Sequence, residues 1–319
     1  GRVVVMQQDD PADATSSWSQ LGSDIVGDTC VPANPSSSGG ERLGHQVRLD
    51  GTGHVLVAGN RKLQTACHYS NERAGIKIYT YSASSWSNVK TVEPNVFIGS
   101  YPYFTNCGKD ALAINKAGTR VAFGCNGYGA GNVYVVKYDG ASWDGGTVIS
   151  SSTETYDMDF NSAGDVLAVG EHLTGTGSVD VYDYVADAYT LRGAVANPGT
   201  SGFPRFGRRV ALSDSGLDLV VGIPGDGSGE YLDWGAVSVL RYLSGSWTEV
   251  VNIANTEEYH SHSRGFAMGG VAVDVDGGVV VYAGGNTGAG AVETYTLPED
   301  CSTVEGAGGT AGDPHLKLA

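Results

Sequence analysis

The sequence predicts an all-β protein, a β-propeller of four-stranded blades. Three observations carry this: a glycine-spaced hairpin motif recurring along the chain, an alternating strand with a fixed aromatic spacing after most copies, and a glycine-rich, weakly charged composition. Glycine makes up 48 of 319 residues with no Gly-X-Y period, and only 17% of residues are charged. Many glycines between short β-branched runs suit tight turns between strands.

The hairpin comes first in each repeat. Its copies read VRLDGTGHVLVAG, LAINKAGTRVAFG, MDFNSAGDVLAVG, VALSDSGLDLVVG and AVDVDGGVVVYAG. Each has a turn glycine and, six residues on, a second glycine: Gly53/Gly59, Gly118/Gly124, Gly164/Gly170, Gly216/Gly222 and Gly278/Gly284. The apolar runs on either side of the turn read as strands A and B, apolar enough to be covered on both faces. A more strictly alternating strand C follows, then a turn and strand D. In four copies a tyrosine stands five residues before a second aromatic: Tyr81/Trp86, Tyr138/Trp143, Tyr184/Tyr189 and Tyr242/Trp247. So regular a pattern reads as packing at a blade edge rather than as a binding site. Turn glycines 46 to 65 residues apart, with four strands per unit, match propeller blades, which must stack to bury their faces. Five blades are recognisable, and six or seven stay open.

The ends differ from the middle. RVVVMQQ and SSWSQLGSDI read as strands C and D with no hairpin before them, whereas the last copy has A, B and C but no D. The expectation is that residues 18–25 complete the last blade, so that strands from both termini close the ring. Residues 3–7 are then left over. The propeller is placed at residues 1–297. Residues 298–319 read as a Gly/Thr-rich linker or the start of a further domain.

The net charge of −16 lacks the basic footprint that nucleic acid or anionic lipid needs. No run of 18 apolar residues is present, so membrane insertion by this segment is not expected. No signal peptide is visible, which fits a mature chain or a piece of a longer one. No Asn-x-Ser/Thr sequon occurs, while O-linked sugar on residues 36–38 or 150–153 stays open. Of the five cysteines, Cys107 precedes an A strand and Cys125 ends the B strand of the same blade. Antiparallel pairing brings those ends together. Cys30 and Cys67 stand in the same relation around the first hairpin. The bridges Cys30–Cys67 and Cys107–Cys125 are therefore expected, with Cys301 left over, and with them an oxidising, extracellular setting.

FGRRVALSDSGLDLVVGIPG, with Asp214 and Asp218 in its turn, resembles the FG-GAP repeat of integrin-α-type β-propellers. WSQLGSDI, LGHQVRLD, VLVAG and GSVDVYDY resemble the repetitive propellers of secreted algal and protist proteins. These resemblances cover about residues 1–297. The closing GDPHLKLA is similar to the start of von Willebrand type D-like domains. The FG-GAP resemblance implies calcium in the A–B turns. The candidates are Asp214 and Asp218 in one turn and Asp274 and Asp276 in another. The calcium pattern is degenerate here, and calcium wants six to eight oxygens.

Blade geometry puts the long connections on one face, where binding is usually placed. The segment PGDGSGEYLDW offers Asp226, Glu230, Tyr231, Asp233 and Trp234, acids and aromatics suited to a sugar or a cation. His260 and His262 lie two apart with no third ligand indicated, and His45 and His172 read as structural. No nucleophile elbow, zinc-protease motif or phosphate loop occurs, so no catalytic residue is assigned and the chain is not read as an enzyme. Glycosidase carboxylate pairs need no local motif, which leaves that activity open. Two readings follow. One is an extracellular structural or adhesive module, a candidate filament or matrix protomer, whose partners are its own copies or other extracellular proteins and glycans. The other is a carbohydrate-binding or carbohydrate-cleaving propeller acting through the long-connection face.

Overall fold

A repeat of this kind must first close its turns. The computed structural model describes residues 1–13, 15–28, 42–63, 73–94, 107–127, 130–152, 155–171, 176–197, 205–223, 236–254, 270–273, 279–286, 289–296 and 316–317. Among them every regular element is a strand. The chain divides into two compact units, Gly1–Glu154 and Thr155–Ala319.

In the first unit, β1 (Arg2–Val3), β2 (Met6–Gln8), β3 (Trp18–Gln20) and β4 (Ile25–Val26) form two short pairs, β1 with β4 and β2 with β3. Two four-stranded antiparallel meanders follow. The first is β5 (Leu43–Leu49), β6 (Val55–Leu63), β7 (Arg73–Ser82) and β8 (Ser85–Val92). The second is β9 (Leu112–Ile114), β10 (Arg120–Gly127), β11 (Ala130–Lys137) and β12 (Thr147–Ser152). The second unit holds three more sheets. They are β13 (Asp157–Phe160), β14 (Val166–Glu171), β15 (Ser178–Val185) and β16 (Ala188–Ala196); β17 (Arg209–Leu212), β18 (Asp218–Ile223), β19 (Ala236–Leu243) and β20 (Ser246–Ala254); and β21 (Gly270–Val273), β22 (Val279–Asn286), β23 (Ala289–Thr296) and β24 (Leu316–Lys317). β5 to β23 are the A, B, C and D strands read from the sequence; β24, in the segment read as a linker, was not among them.

The N-terminal strands depart from the expectation. Residues 18–25 do not complete the last sheet: Trp18–Gln20 pairs with Met6–Gln8, and the fourth place beside β23 is taken by Leu316–Lys317. Nor are residues 3–7 left over, since Val3 pairs with Ile25 and Met6 with Gln20. A short connection costs far less closure entropy than a chain-spanning one. This connection also organises itself. Asp10 Oδ1 accepts the Ala12 N–H at 2.9 Å, Asp13 Oδ1 accepts the Thr15 N–H at 2.8 Å, and the Ser17 hydroxyl donates to Asp9 Oδ2.

The A–B turns share one chemistry. In the first four repeats the turn glycine is left-handed, with φ of 72° at Gly53, 67° at Gly118, 77° at Gly164 and 69° at Gly216. Its N–H returns to the carbonyl of a buried polar residue three positions earlier, Asp50, Asn115, Asn161 or Ser213. The side chain of that residue then accepts backbone N–H groups of the returning strand. Asp50 Oδ1 takes His54 and Val55, Asn115 Oδ1 takes Thr119 and Arg120, Asn161 Oδ1 takes Val166, and Ser213 Oγ takes Asp218. A buried oxygen that satisfies backbone donors is why Asp, Asn and Ser recur there.

The second glycine does something else. A Cβ on Gly59 would lie 1.7 Å from the carbonyl oxygen of Gly108, and one on Gly170 would lie 2.0 Å from that of Gly207. Gly108 and Gly207 open the A strands of the following repeats, are left-handed at 63° and 87°, and follow the buried Cys107 and Phe206. The backbone of one repeat thus sits on the B strand of the one before it. Around this contact Val57, Ile76, Ile78, Phe123 and Val121 form one core, and Ala168, Val181, Phe206, Leu219 and Val221 form another. Each such large side chain contributes about 1.5–3 kcal/mol by leaving water.

The C–D turns are two-residue turns in three sheets, closed by the pairs Ser82 with Ser85, Val185 with Ala188 and Leu243 with Ser246. Both central residues have positive φ: Ala83 and Ser84 at 49° and 63°, Ala186 and Asp187 at 49° and 65°, Ser244 and Gly245 at 51° and 90°. This geometry matches the strand twist but disfavours alanine.

Two outcomes follow for unfolding measurements. Gly59→Ala is expected to cost about 3 kcal/mol or more, the upper end of overpacking penalties, because it meets backbone that cannot give way. Gly53→Ala has nothing within 4 Å of its Cβ and is expected to cost only the left-handed backbone penalty, about 1–2 kcal/mol. Equal losses at the two sites would contradict the assignment. Replacing Ala83 and Ser84 by Asn and Gly is expected to stabilise by roughly 1 kcal/mol, read as a higher denaturation midpoint with an unchanged slope.

Candidate interaction surface

In the first and fourth repeats the aromatic turn rests on the outer segment of the hairpin or sheet before it. Tyr81 and Trp86 face each other across β7 and β8 at 5.3 Å between ring centres, Tyr138 and Trp143 at 5.4 Å, Tyr184 and Tyr189 at 5.1 Å, and Tyr242 and Trp247 at 5.2 Å. Trp86 donates its indole N–H to the Leu21 carbonyl at 2.9 Å and packs over Gly22. Trp247 lies over Gly193 in the same way, and Arg192 stacks 4.8 Å from the centre of the Tyr242 ring while pairing with Asp183. Between the first two sheets, Lys90 Nζ on β8 donates to the carbonyl of Trp143, in the turn between β11 and β12, at 3.1 Å.

The C–D pair of each of these four sheets carries a register shift. It leaves Val89, Ile149, Arg192 and Val250 as extra residues on the D strand. A bulge increases local twist and spoils a flat edge, a common defence against edge-to-edge pairing.

The N-terminal hairpin follows the same plan. Gln8 opposite Trp18 takes the place of Tyr81 opposite Trp86, and Leu21 and Gly22 take the place of Arg192 and Gly193. Its inner face, Val3, Val5 and Ile25, is buried against Leu43, Leu56, Ala58 and Tyr79, and Lys77 reaches Asp28 at 3.0 Å. Its outer face is not covered: Val4 is 36% exposed, Met6 46%, Trp18 60% and Val26 58%. The residues that match Met6, two before the turn-closing position, are Tyr79, Val136, Tyr182 and Leu240, exposed by only 6%, 0%, 6% and 3%. This apolar face is the candidate interaction surface.

The site residues read from the sequence are placed as follows. Asp218 is buried, and its carboxylate accepts from Arg241 Nε at 2.6 Å, so a guanidinium supplies its counter-charge. Asp214 receives the Ser162 N–H on its backbone carbonyl at 3.3 Å. Asp274 and Asp276 lie outside the described residues, as do Asp226, Glu230, Tyr231, Asp233 and Trp234, the histidines 172, 260 and 262, Cys30, Cys67 and Cys301. Among the described residues no group of three or more His, Cys, Asp or Glu is placed to hold a metal ion. Cys107 and Cys125 are bonded to each other, both buried in the first unit's core. His45 lies in β5, with Nδ1 3.2 Å from the Lys109 carbonyl. Sequence reasoning missed the outer face. Its signal was present as the alternating Val4 and Met6, with Val26 and Trp18 on the partner strands, but only the buried equivalents of Met6 show that its exposure is exceptional.

No known family matches the chain, and no curated protein matches it, so the likeness to FG-GAP repeats rests on the quoted residues alone. Among solved structures the chain is similar to hydrazine synthase from Kuenenia stuttgartiensis, with 13% identity, 87% of this chain and 67% of that one covered, and a TM-score of 0.52. It is also similar to TolB from Acinetobacter baumannii, with 12% identity, 79% and 52% covered, and 0.47. A third is the β-propeller domain of the Trilobed protease from Pyrococcus furiosus, with 11% identity, 80% and 82% covered, and 0.46. The chain spans about half the length of the TolB structure. At these identities the likeness concerns the fold alone.

One acid has a displaced ionisation. Burial raises the carboxyl of Asp180 on β15 above its ordinary 3.8, partly offset by the hydrogen bond from the Tyr182 hydroxyl at 3.2 Å. The folded state then holds this proton more tightly than the unfolded state, so stability falls as pH rises through the carboxylate range and stays lower above it. Asp180→Asn is expected to raise the melting temperature at pH 7, with the gain shrinking as pH falls to about 3. A gain independent of pH would assign the effect to packing instead of charge.

Proposed function

We propose that this chain is an extracellular structural module of β-propeller type, built into a filament or matrix through the outer face of its N-terminal hairpin. The observation that carries the reading is the exposure of Val4, Met6, Trp18 and Val26, on a strand pair where the four residues equivalent to Met6 are all buried. Contiguous exposed apolar side chains mark interaction sites. Four four-stranded sheets spend their aromatics on packing and their polar turn side chains on backbone hydrogen bonds. Such usage supports a scaffold role over a catalytic one. The buried Cys107–Cys125 bridge supports an oxidising compartment.

The test places a charge on this face. Met6→Lys combined with Val26→Lys is expected to leave the far-ultraviolet spectrum unchanged and to abolish cosedimentation with the native assembly, whose filaments or sheets electron microscopy would show. Incorporation of the double variant at the wild-type level would refute the reading.

A further inference from the structure

The N-terminal hairpin supplies only the two outer strands of a repeat. Its geometry shows what the inner two must look like. In the complete repeats, three elements meet where one repeat hands over to the next. The left-handed Gly108 has the Cγ2 of Ile76, the Cα of Gly59 and the carbonyl of Gly75 around the position of a Cβ, at 2.8, 3.0 and 3.5 Å. Around Gly207 the same position meets the carbonyl of Ser178 at 2.5 Å and the Cα of Gly170 at 3.3 Å. Ile76, Gly75 and Ser178 belong to C strands, while Gly59 and Gly170 belong to B strands.

Gly44 is the same device at the start of β5. It is left-handed at 82° and follows the buried Leu43. It has the C-strand half of the set, with Val3 Cγ2 at 2.6 Å and the Arg2 carbonyl at 3.7 Å. Among the described residues no B-strand glycine takes the other half, since none but Val3 and Arg2 comes nearer than 4.0 Å. The match extends one step back. A Cβ on Gly1 would lie 1.8 and 2.7 Å from the carbonyl oxygen and nitrogen of Leu43, as one on Gly177 would lie 2.1 and 2.8 Å from those of Phe206.

The edge beside this place is also open. Gly1 and Val5 give their carbonyls to Gly27 and Leu21 on the D strand. Backbone groups alternate sides along a strand, so those of Val4 and Met6 point to the opposite edge. Among the described residues no strand pairs there.

We propose that this edge takes up a β-hairpin of the same repeat class, two strands with a glycine six residues after the turn glycine, carried by a polypeptide segment other than residues 1–319, and that the second glycine seats against Gly44. Strand addition of this kind takes affinity from the main chain and specificity from side-chain register. Here the register marker is the lack of a side chain. The proposal rests on the scaffold reading only for the class of partner.

The structure dictates the probe. Because Gly1 matches Gly177, a second copy of residues 155–176, the A and B strands of the third repeat, can be joined directly before Gly1 of the full chain. The fusion is expected to raise the melting temperature and to slow amide exchange at Val4 and Met6 by roughly tenfold or more. A companion fusion carrying Gly170→Val in the added copy only is expected to lose that protection while the rest of the chain exchanges as before. Absent protection with the intact hairpin, or equal protection by both fusions, would overturn the proposal. So would an unfused chain that dimerises over a roughly hundredfold concentration range with Val4 and Met6 already protected, since a second copy would then be the donor. Exchange at these two amides is read without any assembly, so a failed incorporation test leaves this result standing, and the reverse also holds.

Discussion

Two backbones touching without a side chain between them is the contact on which the rest of this structure depends. Gly59 against Gly108 and Gly170 against Gly207 bring a B strand within reach of the next repeat's first turn. At that separation the apolar side chains of adjacent sheets close over one another, and Phe123 and Phe206 become fully buried. A methyl group at either site would force the sheets apart, and a close-packed interior transmits such a displacement to all its neighbours. The left-handed glycine on the receiving side is the other half of the same requirement, because only glycine turns that corner at no steric cost.

The polar side chains at the start of the first four A–B turns are engaged by the protein's own backbone. Asp50, Asn115, Asn161 and Ser213 accept backbone donors that would otherwise be buried unpaired. Asp218 faces Arg241, and Asp183 faces Arg192. A chain with net charge −16 therefore places several of its few cations where acids are partly buried, which is where an ion pair counts for more than at the surface. Arg192 serves twice, since it is also the extra residue of a bulge and lies over Tyr242 of the following repeat.

The aromatic turns and the bulges are one arrangement seen from two sides. The bulge twists the D strand, and Gly193 beside Arg192, like Gly22 in the N-terminal hairpin, presents a bare backbone on which the next repeat's tryptophan rests. At the N-terminal hairpin the arrangement stops half made. Its inner face is docked on the first full sheet, while its outer face carries apolar side chains in water.

Most of the local structure was legible in the sequence. Glycine pairs six residues apart marked the A–B hairpins, and aromatics five residues apart marked the C–D turns, because turn geometry and strand period act over a few residues. The Cys107–Cys125 bridge was legible for the same reason, since both ends belong to one antiparallel pair. Tertiary structure alone decided the roles of the two glycines. The motif presents Gly53 and Gly59 alike, yet one bends a turn and the other receives a neighbour's carbonyl, and the neighbour lies 49 residues away at Gly108. It also decided the pairing of the N-terminal strands. Residues 18–25 carry a D-strand pattern that any C strand could accept, and the nearby C strand at residues 2–8 prevails because closing a short loop costs least. Exposure of Met6 and Trp18 was beyond the sequence for a related reason: a repeat's apolar face looks the same whether or not another repeat covers it.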